Sequence, residues 1–128
     1  MVKAPIEKWE DTIKDLRKKC KSVLAVSDNI RYIGVINKYG RTLTGIMRSD
    51  ITPLLKPGHV KDEFFIVSIM SGLRKSVASD IGRLEHMIFY HKKATIAVTC
   101  KGDTTFYLSI DKREKNVEEI VDKIKKLI

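Results

Sequence analysis

The strongest constraint on this chain is the order in which two hydrophobic periods succeed one another. Apolar residues recur first at helical spacing, then with the two-residue period of a hairpin. A second, unusually apolar helical stretch follows, then three alternating segments in a row and a short amphipathic end. Periods near 3.6 and 2 residues mark helix and half-buried strand respectively. The predicted order is therefore α-β-β-α-β-β-β-α, an α+β chain in which runs of strands are separated by single helices.

Particular residues carry each assignment. Ile6, Trp9, Ile13, Leu16, Cys20, Val23 and Val26 form one stripe of a helix predicted over Pro5–Val26, with Lys14, Arg17, Lys18, Lys19 and Lys21 on the other face. Pro5 suits a first-turn position, where a missing N–H costs nothing. Ile30–Asn37 and Arg41–Met47 read as strands joined by a tight turn at Lys38-Tyr39-Gly40. Gly34 and Gly45 weaken those strands and predict a close helix crossing at each. Ser49–His59 contains Pro53, Pro57 and Gly58 and reads as a loop.

The second helix is predicted over Val60–Ile81, ended by Gly82. Phe65, Ile69, Leu73 and Val77 are expected to face the sheet. Phe64, Val67, Met70 and Ser71 are expected on a neighbouring apolar face. A helix apolar around most of its girth needs two covers. The sheet supplies one, and a second copy of the chain is the expected other. Leu84–His91, Ala94–Lys101 and Thr104–Ile110 then read as three strands, and Asn116 as the cap of a final helix.

The 128 residues fit a single domain spanning 1–128, and a hydrophobic fraction of 43% supports one real core. No apolar run approaches the ~18–20 residues needed to cross a bilayer, and the first twenty residues lack a signal peptide's apolar segment. The expectation is a cytoplasmic protein without membrane insertion. Cys20 and Cys100 are far apart and outside any CxxC, so both read as small core residues. His86 and His91 differ by an odd number along one predicted strand and point to opposite faces. No HxH, HExxH, GxSxG, GxGxxG or GxxxxGKS pattern occurs. These absences predict no catalytic residue, no metal and no cofactor, hence no enzyme.

The net charge of +9 makes an acidic partner attractive. Lys14, Arg17, Lys18 and Lys21 on the first helix, with Arg31, Arg41 and Arg48 on or beside the hairpin, are the candidate surface for an acidic protein or, as the alternative, for nucleic acid. Tyr32, Tyr39, Tyr90 and Tyr107 could stack on bases, but they are divided between strands and a turn.

The segment IRYIGVINKYGRTLTG, the apolar helix after it and the triple-strand meander resemble Roadblock-type (dynein-light-chain-type) domains of the Roadblock/longin/profilin-like group. The chain is also similar to archaeal proteins of this shape carrying a comparable GVI…G…L.G…R stretch. The resemblance implies a central five-stranded antiparallel sheet in the order 2-1-5-4-3, with the second helix on one face and the terminal helices on the other. It implies a non-enzymatic homodimeric regulator or scaffold that binds another protein, small GTPases being the partner class the group suggests. The dimer would pair second helices antiparallel and third strands edge to edge, so Phe64, Val67, Met70, Ser71, Arg74, His86 and Ile88 are the expected interface. The alternatives are a basic nucleic-acid-associated protein and a small-molecule sensor domain.

Overall fold

The structure, a computed structural model, describes residue 2 and residues 4–128. Its elements are α1 (Pro5–Leu24), β1 (Ile30–Ile36), β2 (Thr42–Met47), α2 (Pro57–Lys75), a single-turn α3 (Ala78–Ile81), β3 (Met87–Tyr90), β4 (Ala94–Lys101), β5 (Thr104–Asp111) and α4 (Val117–Leu127). All strands are antiparallel neighbours in the order β2-β1-β5-β4-β3. Both the element order and the sheet order match the expectation.

The alternation of β4 and β5 sends side chains into two cores. Phe106, Leu108 and Ile110 point to one face with Ala97, Ile33 and Val35, where Leu16, Cys20 and Val23 of α1 and Ile120, Val121 and Ile124 of α4 cover them. Tyr107, Ile96 and Val98 point to the other with Ile36, beneath Phe64 and Val67 of α2. A sheet buried on both faces at its centre needs apolar residues at successive positions, which β4 and β5 supply.

Several boundaries differ from the expectation for identifiable reasons. α2 begins at Pro57 rather than Val60, because proline takes the first helical position. It ends at Lys75, and a separate turn, α3, runs up to Gly82 with its φ of 87°. β3 keeps only four residues, since Gly82–His86 leave the ladder. His86 and His91 thus flank the strand rather than occupy it. α1 stops at Leu24, two residues early. There the Arg48 side chain donates to the carbonyls of Leu24, Ser27 and Ile30, tying the helix end to the start of β1. Opposite this tie, Glu114 accepts from the Asn116 and Lys115 backbone N–H groups, Ser27 Oγ and Asn29 Nδ2. These bonds, that from Asn116 foremost, hold its carboxyl below the usual range.

The glycines split. At Gly34 an added Cβ would meet the Tyr32 hydroxyl at 2.6 Å and Phe64 Cζ at 2.8 Å, so α2 does press on the sheet there. At Gly45, directly opposite in the ladder, the intruder is the Tyr32 ring and not a helix. The two glycines form a hollow that Tyr32 fills.

Candidate protein-interaction surfaces

α2 presents two apolar faces, and the structure exchanges the expected ones. Phe64, Val67 and Ser71, at spacings of three and four, are buried against the sheet of their own chain. They are closed to a partner, which corrects their assignment to an interface. The reason is local: the Phe64 ring lies over the bare backbone of Gly34 and meets the Tyr107 ring edge-on at 5.2 Å. Next to it, Glu63 accepts from the Tyr107 hydroxyl at 2.9 Å. Burial first, and this carboxylate second, push that hydroxyl's pKa far up. Phe65, Ile69 and Leu73, expected under the helix, instead face outward. They are 59%, 45% and 65% exposed, and Ile66 and Met70 extend the same strip. Val77 lies between α2 and α3.

The other expected interface residues divide. Arg74 is on the exposed side of α2 with Met70. His86 is committed to α4: its Nε2 lies 3.0 Å from Glu118 Oε2 and its Nδ1 2.7 Å from Lys125 Nζ. Ile88 is half-buried and packs toward the α1/α4 core. Both are partly buried and already engaged within their own chain. The main-chain edge of β3 is still the end of the sheet.

The basic surface is likewise smaller than expected. Arg48 is a structural clamp, and Arg31 donates to the Thr52 carbonyl at 2.8 Å. Lys14, Arg17, Lys18, Lys21 and Arg41 are exposed. On α1, Arg17 reaches across to β2, its Nη1 3.4 Å from the Gly45 carbonyl. Lys14 and Lys21 stand three and four residues away on the same side. Cys20 is buried, and burial lifts its thiol to about 11. Cys100 is exposed, correcting its assignment to the core. It lies near Ser71, where the buried stripe of α2 runs out.

Beyond the short β3, an open cleft of about 830 Å³ is bordered by Ser71, Lys75, Arg83, Thr99, Lys101 and Lys125. Among the described residues, no three His, Cys, Asp or Glu side chains gather as a metal site. No described helix is long and apolar enough to cross a membrane.

Neither a family profile nor a curated protein matches the sequence. Solved structures do match in shape. The gliding protein MglB from Thermus thermophilus superposes with a TM-score of 0.71 at 13% identity, covering 99% of this chain and 90% of that one. A Roadblock/LC7 domain from Streptomyces avermitilis gives 0.66 at 12% identity, with 85% and 88% covered. The chain has the Roadblock fold. An MglB in a tetrameric arrangement is similar to it as well, at a TM-score of 0.65 and 13% identity over 99% and 92% of the two chains. In the Roadblock fold of this chain, the bare outer strip of α2 and the edge of β3 are the elements that the sequence resemblance singled out, although most of the side chains differ.

Proposed function

We propose that this chain is a non-enzymatic homodimeric regulatory or scaffold module that binds another protein, with a small GTPase as the partner class. One observation carries the reading. Phe65, Ile66, Ile69, Met70 and Leu73 form a continuous apolar strip on the solvent side of α2, and patches of that kind mark interaction sites. A second copy laid antiparallel would cover the strip with its own, while the β3 edges extend the two sheets into one. The tetrameric arrangement of MglB supports self-association as a habit of this fold. The revised interface is Phe65, Ile66, Ile69, Met70, Leu73 and Arg74 with the β3 main chain.

Light scattering at micromolar concentration is expected to give about twice the 14.6 kDa chain mass. Leu73→Asp is expected to give a folded monomer, because that side chain is largely exposed and belongs to neither core. A wild-type monomer across that range rejects the dimer. The GTPase class is tested by capture from extracts of the source organism loaded with a GTP analogue or with GDP. Retention of a small GTPase in one nucleotide state only supports it, and retention indifferent to nucleotide rejects it.

The alternative nucleic-acid reading gains little. Single-strand binders stack bases on an open sheet face, whereas helices cover both faces here. Tyr107 is buried, and the exposed Tyr39 and Tyr90 each already lie under a lysine of their own chain. The sensor reading would use the cleft beside β3, which is open and has Lys75, Arg83, Lys101 and Lys125 as well as Glu85 and Asp103 on its border.

A further inference from the structure

β2 is the other end of the sheet, and among the described residues no strand pairs with its outer side. Exposed edges are ordinarily blunted by an in-strand lysine, a proline, a bulge or a short length. β2 has six residues, Thr-Leu-Thr-Gly-Ile-Met, with no charge and no proline. Its pairing with β1 is regular from Thr44 to Met47, and the one irregularity lies nearer the turn, between Val35 and Ile36. The extra residue at that irregularity is Leu43 of β2 itself, so a bulge guards the start of the strand, and Thr44–Met47 is the regular stretch, without charge, proline or bulge, where a neighbour could be accepted.

The charge beside this edge has one sign at its centre. Arg17 comes down onto Gly45, with the exposed Lys14 and Lys21 on the same side of α1, and Arg41 precedes the strand. Glu10 lies on that side only two turns farther toward the N-terminus. The Arg17 contact is long at 3.4 Å and solvent-exposed, so an incoming backbone N–H can replace it at the Gly45 carbonyl. The released guanidinium is then free for a carboxylate, with which it forms the stronger charge-assisted bond. Gly45 itself offers no side chain to obstruct the approach.

We propose that the outer edge of β2 accepts an extended, acidic segment of a partner protein as a sixth strand, held by main-chain hydrogen bonds and selected by Lys14, Arg17, Lys21 and Arg41. A second copy of this chain is a poor occupant, because β2-to-β2 pairing would bring two such cation clusters together. The proposal rests on the protein-binding reading but not on the dimer, since β2 and β3 are opposite ends of the sheet.

The test uses the full chain and a fluorescein-labelled peptide of about eight residues alternating glutamate and valine, the period of a strand. Anisotropy is expected to show saturable binding. Lys14→Glu with Lys21→Glu is expected to weaken it about tenfold, the size of losing two or three partly exposed ion pairs. A peptide N-methylated at alternate amides on its pairing edge is expected not to bind. Amide exchange is expected to slow at β2 and not at β3. Absence of binding, equal binding of the methylated peptide, or protection at β3 would each overturn the proposal. Light scattering on the same samples reports the dimer separately, so either reading can fail alone. Concentration-dependent growth beyond the dimer through β2 would assign the edge to self-assembly and overturn it as well.

Discussion

Arg48 shows how a residue type misleads when read alone. An arginine just after a strand is ordinarily a solvated charge, and its place among the candidate binding residues follows from that habit. In the fold it serves three carbonyls, with Nε 2.6 Å from Ile30 O and Nη2 2.7 Å from Ser27 O. These groups lie where α1 ends and β1 begins, and of the three carbonyls that of Ser27 also accepts from the Ile30 N–H at 3.2 Å. Arg48→Ala is expected to lower stability by about 2–3 kcal/mol, as a charged donor is lost and carbonyls are stranded. Arg48→Lys should recover little of it, since one ammonium cannot reproduce the planar fork. Chemical denaturation of both variants checks this, and an unchanged midpoint for Arg48→Ala would remove the clamp. No local sequence signal announces such a role, because its three partners come from residues 18 to 24 positions earlier. Gly34, by contrast, is legible: a glycine inside a strand of branched residues signals a close approach, and the Phe64 ring makes it.

Among elements, legibility tracks how many faces have to be told apart. β4 is readable to its last residue and β5 to within one, because their alternation admits only one register if both cores are to fill. The faces of α2 are not readable. Its two apolar stripes lie one residue apart in phase, and hydropathy cannot say which one meets the sheet. That choice is made by Gly34 and Tyr107, both outside the helix in sequence. Neighbouring phenylalanines make the difference measurable. Phe64→Ala is expected to cost about 3–5 kcal/mol, as a buried aromatic leaves a cavity. Phe65→Ala should leave the protomer's unfolding midpoint nearly unchanged and shift self-association instead. Equal losses of stability from the two would mean that both side chains are buried within one chain.

For the whole molecule, the charge of +9 is the property most open to misreading. It is distributed over α1, the hairpin, the cleft beside β3 and the end of α4, while two of the candidate arginines are occupied within the fold. Diffuse charge of this kind is screened within roughly 8 Å at physiological ionic strength. The protein is therefore expected to bind DNA or RNA weakly, without sequence preference, and only at low salt. A mobility-shift titration across salt concentrations checks this. Submicromolar affinity near physiological salt, abolished by charge reversal at Lys14, Arg17, Lys18 and Lys21, would instead promote the nucleic-acid reading, because specific clustering would be needed to release enough counterions.

α1 outruns the sheet it covers. Its stripe is buried at Leu16, Cys20 and Val23, but Ile6 and Trp9 on the same stripe are 67% and 52% exposed. The chain contains one tryptophan, and it sits on this overhang. Its emission consequently reports the first turns of α1 rather than either core. A fluorescence melt followed at Trp9 would record fraying of that overhang and understate the cooperativity of the sheet, which circular dichroism in the peptide region would register. The same optical isolation makes Trp9 a selective lamp for anything that settles on the projecting helix.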